Sequence, residues 1–220
     1  MNPVLLTLWL ALWVSFILLL IGTPLAWWLA HTRSRLKPAA EAITALPLIL
    51  PPTVLGFYIL IFLSPNAPLG RFWVKATGET LTFSFTGLVA ASVVYSLPFM
   101  VQPLQSAFES IGHGPREAAA ALGASPRAQF WRVVVPGSRR GFITAFVLTF
   151  AHTIGEFGVV LMVGGNIPGR TKTIAIDIYE RVETLDYAGA HKLSAGLILA
   201  AFLILLALYA LNHKGSYRVR

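Results

Sequence analysis

The 220-residue chain is 56% hydrophobic and only 12% charged, with a mean hydropathy of +0.70, against roughly a quarter charged residues in an ordinary soluble domain. That composition excludes a soluble enzyme or a nucleic-acid-binding module, and the formal charge of +8 reads instead as the cationic loops of a membrane protein. There is no cysteine, so disulfides and thiolate metal sites are ruled out.

Five apolar stretches approach the length of about 20 residues needed to cross a bilayer: 4–30, 42–63, 83–107, 142–163 and 193–211. The first has no Lys or Arg before it and is too long for a cleaved leader, so it reads as a retained span that tilts or kinks near Pro24. The second holds Pro47, Pro51 and Pro52 and is expected to be broken or bent. Residues 64–82 carry Pro65, Asn66, Pro68 and Gly70 and read as turns. In 164–192, the segment 173–185 sets Ile174, Ile176, Ile178 and Val182 beside Asp177, Glu180 and Glu183, a pattern for a helix lying at the membrane surface. The expected fold is all-α: one transmembrane domain over 1–220, about five spans, and a structured loop over 108–141. The Lys and Arg count orients it. With the N-terminus outside, 11 cations fall on inner segments and 6 on outer ones, which favours an external N-terminus and a cytoplasmic C-terminus.

The loop between the third and fourth spans, GHGPREAAAALGASPRAQFWRVVVPGSRRG from Gly112 to Gly141, is built as two short helices. Pro115 suits a first helical turn and Glu117 suits the positive end of the helix dipole. Gly123 is placed to stop that helix, and Ser125-Pro126 is an N-cap followed by a first-turn proline. An alanine-faced helix between two spans buries little of itself and lets another protein approach closely. The alternative is a loop that packs only on its own bundle.

The order Glu117-Ala118-Ala119, three residues, Gly123, nine residues, Val133-x-Val135-Pro136 resembles the EAA loop of ABC importer permeases, with valines in place of its isoleucine and leucine. The resemblance implies a type I importer permease fold, with Pro115, Glu117, Ala118, Ala119, Gly123 and Pro136 forming a coupling helix that docks on an ATP-hydrolysing subunit. LPLILPPTVLG (46–56), GEFG (155–158) and GNIPGRTKTI (165–174) are similar to the molybdate and sulfate branch of these permeases, the last two to molybdate permeases in particular. Val159-Val160 departs from the smaller residues frequent there. The branch implies a multi-pass subunit of the bacterial inner membrane, acting as a homodimer with two ATP-binding cassette subunits and a periplasmic or extracellular molybdate-binding protein. ATP-Mg would sit in the partner, with no cofactor in this chain and no nucleic acid. Molybdate would cross by alternating access, with tungstate and sulfate or thiosulfate as alternative cargo.

His152 and Glu156 are the ionisable residues of the fourth span, one helical turn apart. An intramembrane carboxyl is either a gate or pathway group, or a structural one that satisfies helix ends or bonds His152 across one turn. Ser92, Ser96, Thr149 and Thr153 are further lining candidates. A membrane-embedded enzyme or metal site on His152 and Glu156 is a third reading, and it lacks a nearby third ligand, so no metal site is assigned. The run from Gly164 to Thr171 only approximates a phosphate loop: Arg170 stands where the lysine belongs, and no strand precedes it. Gly155, Gly158, Gly164 and Gly165 read as sites of close helix approach. Pro98, like Pro51-Pro52, frees backbone carbonyls that neighbours must satisfy.

Overall fold

The computed structural model describes residues 1–213; Lys214, Arg218 and Arg220 of the cation count lie outside them. Among the described residues the chain is helical, without strands. Helix α1 (Pro3–His31) opens on Asn2, whose side chain accepts from the Val4 amide, with Pro3 in the first turn. It passes Pro24 without a break, and the Thr23 hydroxyl donates to the Leu19 carbonyl in the same turn.

The long helix α5 (Phe85–Ile111) is the axis of the bundle. It packs on α1, on α2 (Lys37–Ile49) and α3 (Pro52–Leu63), and on α9 (Arg139–Gly155) and α10 (Gly158–Gly164). Leu6, Leu10, Val14 and Leu18 recur every four residues on α1 and interlock with Leu88, Met100, Leu104 and Phe108 of α5. In a bilayer the alternative contact for these side chains is lipid rather than water, so their interlocking shape, not removal from water, selects the arrangement. Gly22 permits it: a Cβ there would stand 2.9 Å from Met100 Cγ.

The second apolar stretch is broken as its prolines demand. α2 and α3 meet at a bend of 113° across Leu50-Pro51. The fourth stretch departs from the expected single helix. α9 ends at Gly155, Glu156 is extended (φ −68°, ψ 128°), and α10 starts at Gly158. Two glycines within four residues weaken the helix there, and tertiary contacts decide where it stops. Gly155 has open space at its Cβ position and is not a packing glycine, whereas Gly158 and Gly164 are. A Cβ on Gly158 would lie 2.7 Å from Pro52 Cβ, and one on Gly56 2.9 Å from Met162 Cβ, so α3 and α10 touch through their glycines. Gly158→Val is expected to cost about 1–3 kcal/mol by overpacking. Its melting temperature in detergent checks this; a value equal to the parent's would rule out so close a crossing.

Residues 64–82, expected as turns, contain α4 (Pro68–Thr77), which starts at its proline and ends on left-handed Gly78 (φ 77°). Pro65, Asn66 and Pro68 do mark a turn, but it leads straight into a ten-residue helix, with Gly70 buried inside its first turn rather than in a turn of its own. The stretch expected to form a helix does so as α11 (Ile174–Glu183), N-capped by Thr173 with Ile174 and Ile176 buried, and α12 (Tyr187–His213) is the last span among the described residues.

Contacts gather these parts at two poles. At one, the Met1 ammonium donates to the Gly169 carbonyl (3.2 Å), the Ile174 amide to Thr7 Oγ1 (2.9 Å) and the Phe83 amide to the Val163 carbonyl (2.9 Å). The loop that approximates a phosphate site lies here as a tied turn, its Thr171 hydroxyl buried and donating to the Gly164 carbonyl. At the other pole, the end of α1 meets the 112–138 segment, with His31 against His113 and Trp27 against Phe130.

On the first pole Lys172 pairs with Glu180 (2.7 Å) and Asp177 (3.8 Å), and Arg181 with Asp186 (2.6 Å) and Asp177 (3.5 Å). Hydrogen bonds from Asn166 and Lys172 hold Glu180 below the usual carboxylate range, and the Gly189 amide with Arg181 does the same for Asp186. Both carboxyls titrate lower in the folded chain than in the unfolded one. Their stabilisation is therefore complete above the ordinary values of 4.5 and 3.8 and fades as pH falls through the depressed folded values. The groups are exposed, so the effect is small. Hydrogen-exchange protection factors of α11 should fall below about pH 4 while those of α5 hold.

Candidate functional site

Two regions carry the residues singled out in the sequence. The first is the segment 112–138 between α5 and α9. Helix α6 (Gly114–Ala121) has Pro115 and Glu117 in its first turn. Its end is a Schellman closure: the Ala124 amide donates to the Ala119 carbonyl (3.0 Å) and the Gly123 amide to Ala120 (2.9 Å). Gly123 sits at φ 83°, the left-handed conformation that closure requires. The chain restarts at once, with Ser125 Oγ accepting from the Ala128 amide (3.3 Å) as N-cap of α7 (Pro126–Gln129). The helix widens into a π-turn over Phe130–Val134 before α8 (Val135–Gly137). Pro136 accounts for that turn, because it has no N–H to give the carbonyl four residues back and its ring crowds that carbonyl. A 69° bend at Ser138 then leads into α9.

This segment has a clear inside and outside. Arg116 and Ala119 are half-buried, and the Arg116 guanidinium lies 4.8 Å over the Trp27 ring. Pro115, Glu117, Ala118, Ala120, Leu122, Gly123 and Pro136 are exposed. Leu122 is 89% exposed, and neither α6 nor α7 buries a single residue. The helices therefore offer a small-residue face with one projecting leucine, anchored from behind by Arg116 and by Phe130 against Trp27. In the sequence Leu122 reads only as part of the alanine helix and Arg116 only as a loop cation, and neither has a place in the site there. An apolar residue directly after an alanine helix and before its glycine stop is the signal that marks Leu122.

The second region lies between α5 and α9. Ser96 Oγ is 3.0 Å from His152 Nδ1 and 3.1 Å from Thr153 Oγ1, and Thr153 Oγ1 donates to the Thr149 carbonyl (2.9 Å). Phe99 stacks on His152 at 3.9 Å, with Tyr95 at 4.9 Å on the same imidazole. Because α9 has already ended, Glu156 does not share a helical face with His152 as expected. Ser96, 56 residues away in sequence, binds that histidine instead. Glu156 is 3% exposed and neither carboxyl oxygen has a hydrogen-bond partner. Ser92 Oγ is likewise buried and unpaired, as is Thr149 Oγ1. The structure thus links Ser96, Thr149, His152 and Thr153 by hydrogen bonds around a half-buried His152, while Ser92 and Glu156 are buried without hydrogen-bond partners. No group of three or more His, Cys, Asp or Glu side chains suited to a metal occurs among the described residues.

Comparison with known proteins places this architecture. The family model described as binding-protein-dependent transport system inner membrane component matches residues 22–213. The chain is 58% identical, over 93% of its own length and 91% of the relative's, to the molybdenum transport system permease protein ModB of Azotobacter vinelandii. It is 32% identical, over 89% of its length and 68% of the relative's, to the sulfate transport system permease protein CysT of Synechocystis. Among solved structures, a chain of the MetNI methionine ABC transporter superposes with a TM-score of 0.72 at 20% identity, covering 97% of this chain and 94% of that one, a likeness of fold. The chain belongs to the binding-protein-dependent transport system inner membrane component family and is a multi-pass permease subunit rather than an enzyme.

Proposed function

We propose that this chain is the membrane-spanning subunit of an ATP-driven importer of molybdate. The observation that carries the substrate is the 58% identity, across nearly all of both chains, to a molybdenum permease, against 32% for a sulfate permease. ATP-binding subunits and a periplasmic binding protein are the partners such a permease works with. Two copies of this chain would enclose the path, and the exposed apolar faces of α3 (Val54, Phe57, Phe62) and of α12 (Ile198, Phe202, Leu206) would be covered by lipid or by the second copy.

In this reading α6 and α7 are the coupling element. Their exposed alanine-and-glycine face, with Leu122 projecting, is suited to close docking on an ATPase. Movement of that face would reach α1 through Arg116 and Trp27, and α9 through the 69° bend. The seam of Ser92, Ser96, Thr149, His152, Thr153 and Glu156 is the proposed gate. Polar groups left unpaired here would gain partners in another conformational state, which biases the equilibrium toward movement. The pole holding α6 faces the cytoplasm, in line with the cation count. Because the chain has no cysteine, Leu122→Cys and Ala67→Cys can each be labelled alone. An impermeant reagent applied outside should label Ala67→Cys only.

The substrate is tested by reconstituting the complete transporter in vesicles and following labelled molybdate. ATP-dependent uptake that survives a hundredfold excess of sulfate is the expected result. Uptake abolished by that sulfate excess would replace molybdate with a sulfate-class cargo.

A further inference from the structure

A cavity of about 800 Å³ opens on the side of the bundle where the last turns of α1 meet the loop helices. Its walls are apolar: Pro24 and Trp27 from α1, Phe130 and Trp131 from the π-turn. Arg116 and Arg127 also line it, and neither forms an ion pair with a carboxylate among the described residues. Arg116 is held in place by its stacking on Trp27.

Position decides what such a pocket takes. The cavity starts within the apolar length of α1, at Leu19 and Leu20, and ends at the loop helices. It therefore runs from acyl-chain depth to headgroup depth. Trp131 is 67% exposed beside it, as expected of an aromatic at the membrane–water boundary. Two free guanidiniums at headgroup depth, above a hydrophobic slot, match a phosphodiester carried on acyl chains. A soluble anion would leave the slot empty, and a hydrophobic partner helix would leave two cations unpaired.

We propose that this cavity is a binding site for one anionic phospholipid, its acyl chain between α1 and the π-turn and its phosphate on Arg116 and Arg127. Bound there, the lipid touches α1 and both loop helices at once, so it stiffens the joint through which the loop moves the bundle. The binding site rests on the membrane reading alone and the stiffening also on the coupling role proposed for α6 and α7; both are independent of which oxyanion is carried.

The test uses the assembled transporter in nanodiscs of phosphatidylcholine with phosphatidylglycerol as the probe lipid. Native mass spectrometry after detergent release should find phosphatidylglycerol retained in preference to phosphatidylcholine. The double variant Arg116→Gln/Arg127→Gln should lower that preference about thirty-fold, from the contribution of each cation near an anionic headgroup. Leu20 is 75% exposed on the cavity wall, and Leu20→Trp leaves both arginines in place; it should displace the lipid by filling the slot. Arg71→Gln/Lys75→Gln, on α4 at the far pole, should retain it as the parent does. Equal retention of both lipid classes by the parent overturns the site, as does an unchanged preference in the arginine variant. Undiminished retention in Leu20→Trp overturns it even if the double variant fails to assemble.

Discussion

Gly123→Asp is expected to leave the chain folded in the membrane while lowering ATP-dependent uptake about thirty-fold, the loss that follows when one hot-spot contact worth about 2 kcal/mol is spoiled. The fold survives for two reasons. No atom lies within 4 Å of the added Cβ, and the strain of a side chain at φ 83° is confined to an exposed loop, about 1–2 kcal/mol in magnitude. Docking does not survive, because a charged side chain then stands on a face built from alanine and glycine. Gly123→Asn separates backbone from charge: asparagine tolerates the left-handed conformation, so it should retain much more uptake than aspartate. Leu122→Asp reaches the same face from a residue with φ −83° and adds no backbone strain. The decisive measurement compares ATP hydrolysis with uptake in vesicles. Full coupling in both aspartate variants would mean that no ATPase docks here.

Glu156→Leu is expected to separate stability from transport. The carboxyl is buried with both oxygens unpaired, so removing it relieves a desolvation penalty of about 1–3 kcal/mol and should raise the thermal midpoint of the purified protein. Uptake should fall at least tenfold, in the pattern of sites where function is held at the expense of stability. Glu156→Gln keeps hydrogen-bonding capacity and should fall between the parent and the leucine variant. A leucine variant that is both more stable and fully active would remove Glu156 from the proposed gate. One that is less stable would reveal partners for the carboxyl that the buried seam does not show.

The local structure of the segment proposed to couple was almost fully legible. Gly123 as a stop, Ser125 as a cap and Pro126 as a first-turn residue are each fixed by bonds to residues within five positions, and each is found as expected. The polar seam was legible only as a list of names. Composition marked His152 and Glu156 as unusual within a span, but helical spacing paired them with each other, and that pairing fails. The helix ends between them, and α5 supplies the partner of His152. Helix α4 was missed for a different reason: Pro65, Asn66, Pro68 and Gly70 crowd its start and read as turns, whereas Pro68 opens the helix and Gly70 is buried within it.

The sequence by itself determined five apolar stretches, the broken character of the second, and a capped small-residue helix pair in the longest cationic loop. These depend on hydropathy over about 20 residues and on hydrogen bonds between near neighbours, and both quantities are local. Tertiary structure alone decided that the fourth stretch breaks at Glu156, that Arg116 turns inward onto Trp27 while Leu122 turns out, and which buried hydroxyls are left without partners. Each of those outcomes depends on what α1, α3 or α5 places opposite a residue, and residues so distant in the chain meet only once the helices have packed.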